Sequence, residues 1–521
     1  MNTKCVVLFT ILLLPLHVEA AVKVVSVFSD HMVLQRDATV AIWGEADPNQ
    51  TITVKFADQV ASARANQDGN WRIELSPLDA STEARTLTIE ADGENRSTVY
   101  KDVLVGDVWV GSGQSNMAGR VASYAKKDET LAALVKQAPF PNIRLMLSGP
   151  NLSWSAATPQ AVASFSAIHF AFGQRLQHEL DVPIGLIVGA VGGTPSGSWI
   201  PSTTYADSEK CKAAVAQFAK TYDRKAVMRQ YEAKLAVWKK QAAAARAKDE
   251  KPRGRRPSTP YQPGESSRGK IGGLYERFIE PVVGYRIRGV LWDQGEGRTG
   301  VVGVDQHTMM SELFRGWREA WGQGDFPFVF VQKPSGGGFA FSNDNPITRN
   351  GDPFVAQLPD IAKLGSGDQR FLYVRLMHDN SNTWMVPASD LGSGIHPTNK
   401  WGYGNRAAEV ALSQVYRTGV QAYGPTYRSH KLDGSKVVIR FEHVGKGLMA
   451  AGNSKLQGFA LTGDDGQWHW AEGTIDGDTV VAWSENVPQP TRIRYAYAPK
   501  RQWANLFNKD GLPALAFEAG K

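Results

Sequence analysis

One serine of this chain stands where a nucleophile would be expected. Ser115 lies in GSGQSNM, directly after the apolar, β-branched stretch VLVGDVWV, which has the composition of a buried strand. A serine on a sharp turn between a strand and a helix stands clear of the sheet, and the helix N-terminus favours developing negative charge. A serine alcohol is a poor nucleophile unless a base lies within hydrogen-bond reach. The pattern therefore predicts nucleophilic catalysis by Ser115, assisted by a base from elsewhere in the chain.

Histidine is the natural base, and the positions of the ten histidines narrow the choice. One falls at the extreme N-terminus, four fall in regions patterned as short strands, and three fall in helical stretches, where a packed or surface histidine is usual. Two remain at strand ends or loops: His378, in RLMHDNSN, and His396, in SDLGSGIHPTNKWGYGNR. Pro397 and a helical stretch follow His396.

The sequence blocks around these residues resemble a known family. GDVWVGSGQSNM resembles the first block of the sialate O-acetylesterase-like branch of the SGNH hydrolases, in which GQSNM replaces the commoner GDS. IHPTNK resembles the block that carries the catalytic base of this family, so the resemblance assigns the base to His396. It implies a serine carbohydrate esterase that forms an acetyl-enzyme intermediate. Since the sequence has no HExxH motif and no cluster of His and Cys, no metal or other cofactor is expected. The resemblance covers nearly the whole chain after the N-terminal leader, except residues 201–270.

The third member of a catalytic triad is where this sequence departs from the family. The family carries an aspartate two or three residues before the histidine, and here those positions are Ser393 and Gly394. Because orientation of the base matters for the rate, we expect a carboxylate from elsewhere, and Asp390 on the same loop is the favoured candidate. Glu296, at another strand end, is the competitor. A Ser–His dyad is the third possibility.

Two further blocks resemble the parts of the family that stabilise the oxyanion. GAVGGTPSGSWI follows the strand PIGLIVGA, and the resemblance implies that the backbone amide of Gly192 or Gly193 approaches the oxyanion, since glycine has no side chain in the way. WDQGEG, residues 292–297, resembles the third block, WxQGES. There Gln294 offers an amide donor, whereas Glu296, when ionised, would repel an oxyanion and is better placed behind the site.

The middle of the chain has the pattern of an α/β domain. From residue 103 the apolar runs VLVGDVWVG, PIGLIVGA, RIRGVLWDQ, FPFVFVQK and FLYVRL read as strands, and Val162 to Leu180 and Met309 to Trp321 read as helices. Alternating strands and helices predict a doubly wound parallel sheet covered on both faces. Ligands of such sheets bind beyond the carboxyl ends of the strands, and each block above falls at such an end.

Short alternating strands on either side of this region predict two flanking β-sandwich-like domains. The predicted organisation is a signal peptide over residues 1–20, an N-terminal β-domain over 21–102, an SGNH-type esterase domain over 103–417 and a C-terminal β-domain over 418–521. The flanking segments also resemble the β-domains of the same family, through VFSDHMVLQRD and GNWRIEL before the middle region and GFALTGDDG and RIRYAYAP after it. Trp199, Trp292, Trp384 and Trp401 lie near the blocks; a sugar platform is conceivable for each, but a place in the core is favoured.

An insertion of about residues 201–270 interrupts the esterase domain. It combines strong helix formers with the Pro/Gly/Arg-rich run KPRGRRPSTPYQPGESSRG, which is typical of a loop or disordered segment. Between residues 220 and 270 there are fifteen Lys and Arg against five Asp and Glu, so the net charge of +7 belongs to this segment. We interpret it as a solvated, peripheral insertion rather than a site for nucleic acid or an anionic surface.

The N-terminus predicts export. Lys4, an apolar run from Val6 to Leu16 and Val18-Glu19-Ala20 form a signal-peptide pattern, with cleavage expected after Ala20. No later stretch is apolar enough to span a membrane, which predicts a secreted or periplasmic protein acting on O-acetylated glycans, of unknown oligomeric state. Two alternatives remain: an esterase for non-carbohydrate esters, and a catalytically silent glycan-binding protein on the same scaffold.

Overall fold

The structure is a computed structural model that describes residues 22–520 apart from Asn95 and Asn453. The predicted signal peptide, residues 1–20, lies outside the described residues. Within the described part, no helix is both long and apolar enough to cross a membrane. The chain forms a mixed α/β structure with a central mixed sheet and additional β-rich regions before and after it.

Short, half-buried strands dominate the N-terminal region, as predicted. In β6, for example, Trp71, Ile73 and Leu75 point inward while the residues between them are exposed, which is the period of a strand with one buried face. β1, β3 and β6 form one sheet, and β5, β4, β7 and the first half of β8 form a second. The strands are β1 (Lys23–Val24), β2 (Val33–Gln35), β3 (Val40–Glu45), β4 (Thr51–Phe56), β5 (Gln59–Arg64), β6 (Asn70–Leu75), β7 (Ser81–Ala91) and β8 (Thr98–Gly113).

Strand β8 joins the N-terminal region to the central sheet. Its first residues pair with β7, and its second half lies at the middle of the central sheet. The predicted domain boundary between residues 102 and 103 thus falls inside a single strand. The buried side chains on both sides of it, such as Ile73 and Val110, belong to one continuous hydrophobic core.

The central sheet has the strand order β10-β9-β11-β8-β12-β13-β14. All its neighbouring strands run parallel except the edge strand β10, which is antiparallel to β9. The chain enters at β8, in the middle, so later strands are added on both sides of the strand that leads to Ser115. The strands that follow β8 here are β9 (Phe140–Leu147), β10 (Trp154–Ala157), β11 (Ile184–Ala190), β12 (Gly289–Asp293), β13 (Phe328–Val331) and β14 (Thr383–Val386).

Helices cover both faces of this sheet. Trp109 packs edge-to-face on Phe172 of α5, whereas Trp292, which is in register with Ser112, packs on Trp317 of α10. Because residues 109 and 112 lie an odd number of positions apart, these two helices cover opposite faces. The helices are α1 (Ser115–Ala118), α2 (Val121–Tyr124), α3 (Glu129–Val135), α4 (Pro159–Ser164), α5 (Ala167–Leu180), α6 (Ser202–Asp207), α7 (Glu209–Ala219), α8 (Arg224–Arg246), α9 (Gly273–Phe278), α10 (Gln306–Trp321), α11 (Asp368–Asp379) and α12 (Lys400–Gln414).

Two predictions for this region need correction. The run FLYVRL, residues 371–376, is not a strand but lies within α11, where Tyr373, Val374 and Leu376 form its buried side. A short run of aromatic and β-branched residues suits a buried helix face as well as a strand. The helix predicted from Val162 to Leu180 is broken at Phe165, because Ser166 caps a new helix by accepting a hydrogen bond from the amide of His169.

The tryptophans near the sequence blocks belong to the core. Trp199 and Trp292 are fully buried, as favoured from the sequence, and Trp384 and Trp401 are partly buried and pack against the same core. None of these four tryptophans presents an open aromatic platform for a sugar.

The C-terminal region is β-rich and has its own hydrophobic core. Two four-stranded antiparallel sheets and one two-stranded pair make up this part. Its strands are β15 (Thr426–Asp433), β16 (Lys436–Glu442), β17 (Leu448–Ala450), β18 (Phe459–Thr462), β19 (His469–Trp470), β20 (Glu472–Asp476), β21 (Thr479–Trp483), β22 (Arg492–Tyr495), β23 (Leu506–Asn508) and β24 (Phe517–Gly520).

Candidate active site

Ser115 stands at the carboxyl end of the central strand. β8 ends at Gly113 and α1 begins at Ser115, so a single residue, Gln114, separates the strand from the helix. Gly113 has φ +133, and a Cβ at this position would lie 2.2 Å from the carbonyl oxygen of Asp293. Only glycine permits this approach of two strands. The amide of Gln114 donates to the same carbonyl at 2.9 Å, which fixes the turn that presents Ser115.

His396, which is distant from Ser115 in the sequence, contacts the serine in the folded chain. Its Nε2 lies 2.8 Å from the Oγ of Ser115, in the geometry of a base that accepts the hydroxyl proton. The ring is exposed on the loop that precedes α12. Among the hydrogen bonds of residues 22–520, none engages its Nδ1. The two residues that the sequence assigned as nucleophile and base are therefore brought together.

The predicted orienting carboxylates have other partners. Asp390 is fully buried, and its two oxygens accept from the guanidinium of Arg406 at 3.1 and 3.4 Å. Glu296 accepts from the side-chain amide of Gln114 at 2.7 Å and lies 3.2 Å from the Nζ of Lys333. Neither carboxylate is hydrogen-bonded to His396 in the described part of the chain. A direct orienting role of Asp390 remains a prediction. Glu296 lies behind the nucleophile and accepts a hydrogen bond there, which is the role that its negative charge suggested.

Asn116 connects the two halves of the pair, a role that sequence reasoning missed. Its Nδ2 donates to the carbonyl oxygen of Ile395 at 3.1 Å, next to His396, and its Oδ1 accepts from the Nζ of Lys400 at 2.6 Å. Lys400 is buried against the ring of Tyr124, and burial lowers the pKa of its ammonium group to about 7. The sequence did contain a signal for this role in the positions of the two residues, since Asn116 directly follows the serine and Lys400 ends IHPTNK.

The glycine block lies beside the nucleophile. A Cβ on Gly192 would lie 3.5 Å from the Cβ of Ser115, and Gly193 has φ +72 with open space around it. Within the described chain, the amides of Gly192 and Gly193 have no hydrogen-bond acceptor. Two unpaired amides beside a nucleophile, together with the N-terminus of α1, are suited to stabilise an oxyanion.

Gln294 uses its side-chain amide differently from the oxyanion donor that the sequence suggested. It is fully buried, and its Nε2 donates to the carbonyl oxygens of Thr194 and Arg298, at 3.3 and 3.1 Å. The donor is thus occupied by two backbone carbonyls. Gln294 braces the glycine block and the loop after Glu296 against each other instead of facing the serine.

A cavity of about 700 Å³ lies near the pair, although neither Ser115 nor His396 is among the residues that line it. It extends from Glu296, behind the nucleophile, to Ile395, which is 65% exposed beside the base. Its wall combines aliphatic side chains with polar and charged ones, including Val304, Leu372 and Arg298. In the described residues no group of three or more His, Cys, Asp or Glu side chains could hold a metal ion.

Comparisons with known proteins agree with the resemblance seen in the sequence. The family model "Carbohydrate esterase, sialic acid-specific acetylesterase" matches residues 105–232. The human sialate O-acetylesterase is 25% identical over 344 residues, and the mouse protein is 27% identical over 346; both alignments cover 60% of this chain. They span 57% of the human protein and 60% of the mouse protein, less than two thirds of either relative.

A solved structure is similar over almost the full length. A carbohydrate acetylesterase from Xanthomonas citri superposes with a TM-score of 0.72 at 25% identity, covering 96% of this chain and 100% of that one. The resemblance to sialate O-acetylesterase-like esterases is thereby confirmed.

Proposed function

We propose that this protein is an exported serine esterase that removes O-acetyl groups from carbohydrates. The observation that carries the proposal is the 2.8 Å contact between Ser115 Oγ and His396 Nε2 at the carboxyl end of the central strand, beside two unpaired amides. The similarity to enzymes named for acetyl esters of sialic acid and carbohydrate supplies the substrate class. The α/β region would then be an SGNH-type esterase unit, and the signal-peptide pattern of residues 1–20 would direct export.

The geometry supports a two-step acyl transfer. Ser115 Oγ attacks the acetyl carbonyl carbon while His396 Nε2 takes the hydroxyl proton. The amides of Gly192 and Gly193 donate to the oxyanion that forms. His396 then returns the proton to the oxygen of the leaving sugar alcohol, which leaves an acetyl group on Ser115. Water, deprotonated by His396, attacks this ester, releases acetate and restores the serine.

The base works in this proposal without a hydrogen-bonded carboxylate. Asn116 holds the backbone at Ile395 and so fixes the position of His396 relative to Ser115. Asp390 contributes by holding the same loop through Arg406, so its effect on His396 is indirect. This makes the pair a Ser–His dyad, one of the possibilities left open by the sequence.

The test is acetate release by the purified wild type and by Ser115→Ala. A panel of acetylated sialic acid, xylan, xyloglucan and pectin, together with 4-nitrophenyl acetate, distinguishes a carbohydrate esterase from one for other esters. We expect the wild type to release acetate from at least one glycan and Ser115→Ala to lose at least a thousandfold in kcat while its melting temperature stays unchanged.

Two results contradict the proposal. Activity of Ser115→Ala within tenfold of the wild type would exclude Ser115 as the nucleophile. A wild type that binds acetylated glycans but releases no acetate would favour the alternative of a catalytically silent binding protein, for which the lack of a carboxylate on His396 is the main argument.

A further inference from the structure

The end of the insertion packs onto the candidate active site. Residues 262–268 run along the loop that follows Glu296 and form backbone hydrogen bonds with it: Gly264 donates to Val302 at 2.8 Å, and Ser267 donates to Gly300 at 2.7 Å. Val302 in turn donates to Glu265 at 3.1 Å. The helices of the insertion, α6 to α8, precede this segment. The sequence predicted a peripheral insertion, whereas its last residues are hydrogen-bonded to the loop that follows Glu296, and this loop lines the cavity near the candidate site.

One side chain of this segment extends to the glycine block. The Nη1 of Arg268 donates to the carbonyl oxygen of Gly193 at 2.8 Å. Other bonds hold the residues on either side: the amide of Val191 donates to Gly113, and the carbonyl of Thr194 accepts from Gln294. In the described part of the chain, Arg268 is the only hydrogen-bond partner of the Gly193 carbonyl.

We propose that Arg268 is a positioning residue for the oxyanion-binding amides, an inference that rests on the proposed esterase function. A glycine peptide with a positive φ and open space around it has little to prevent it from rotating. The Gly193 carbonyl shares its peptide unit with the N–H of Thr194, and rotation of this unit would change the ψ angle of Gly193 and shift the backbone that carries the Gly192 and Gly193 amides. By binding the Gly193 carbonyl, Arg268 restrains this rotation and so helps to keep the two glycine amides in place beside Ser115. The insertion thereby contributes to catalysis without touching the substrate.

The variant Arg268→Met tests this in the full-length protein, because it keeps the aliphatic stem and removes the donor. We expect kcat for 4-nitrophenyl acetate to fall about 10- to 100-fold, less than the loss of an oxyanion donor itself, with KM within about twofold of the wild type. Labelling of Ser115 by a fluorophosphonate, which also develops charge on an oxygen at this position, should slow in parallel. Arg268→Lys, which can still donate, should recover most of both rates.

Arg255→Ala is the matched control, an exposed arginine of the same insertion that makes no hydrogen bond or ion pair within the described residues. It should behave as the wild type. The inference is overturned if folded Arg268→Met keeps the control's kcat and labelling rate, or if only KM changes, since that would indicate substrate binding. These results leave the proposed function intact. Failure of the proposed function appears instead as a wild type that releases no acetate.

Discussion

Replacing Asp390 separates a catalytic carboxylate from a structural one. Asp390 and Arg406 form a fully buried pair, and Glu409 lies 3.3 Å from the Nε of the same guanidinium. Asp390→Asn removes the charge but keeps the shape. Because Arg406 then stays buried with Glu409 as its remaining partner, we expect a loss of about 3 kcal/mol in the free energy of unfolding, the low end for breaking a buried pair.

The double variant Asp390→Asn/Arg406→Gln removes both charges. Neutral replacement of a whole buried pair costs far less than removal of one partner, so the double variant should regain about 2 kcal/mol of the loss. If Asp390 only holds the loop of His396, kcat should stay within about tenfold of the wild type in the single variant and recover in the double one.

Melting temperatures and kcat for 4-nitrophenyl acetate, measured on the same preparations, provide the assay. A direct orienting role predicts a different pattern, a loss on the order of 100-fold or more in both variants, since neither has the carboxylate. Such a loss in a stably folded double variant would refute the dyad. Glu296→Gln is the control for the other candidate: if it alone is inactive, the base depends on the block that contains Glu296.

Three further predictions concern stability and the insertion. Because the pKa of Lys400 is lowered in the folded protein, the unfolded chain binds more protons than the folded one between about pH 7 and 10. The free energy of unfolding of the wild type should therefore rise, relative to that of Lys400→Met, by about 3 kcal/mol from pH 7 to pH 9.5. Urea titrations of both proteins at the two pH values measure this, and a constant difference between the proteins would contradict it. Asp107→Asn should lose about 3 kcal/mol in calorimetry, because it leaves Arg36 and Arg288 without their shared, fully buried carboxylate; a loss under 1 kcal/mol would show that solvent compensates the arginines. Limited trypsin digestion should cut first within residues 249–261, which lie outside helices and strands. This cut should leave esterase activity intact, because residues 262–268 stay hydrogen-bonded to the site. Activity that falls in step with the cut would contradict the peripheral position of residues 249–261.

Local pattern, together with the family resemblance, was sufficient to select Ser115 and His396, which the structure brings together, and to predict the main elements. Ser115 and His396 could be predicted because each occupies a break between regular elements, and because an apolar strand before the serine and a helix after the histidine are properties of neighbouring residues. The strands of the β-rich regions and the helix that became α10 follow from periodicity in the same way. The run FLYVRL shows the limit, since six residues suit a strand and a buried helix face alike.

The partners of charged and polar side chains were decided by the tertiary structure alone. Asp390 lies six residues before His396, yet its buried carboxylate pairs with Arg406, because a charge in the interior is stabilised by the nearest opposite charge and not by the nearest residue in the sequence. Gln294 is occupied by backbone carbonyls for a related reason, since buried donors must find acceptors. Arg268 lies 75 residues from Gly193, and only the folding of the insertion onto the site brings its guanidinium to that carbonyl. Residue type and spacing determine which groups can react, whereas the close approach of distant segments determines which groups hold them in place.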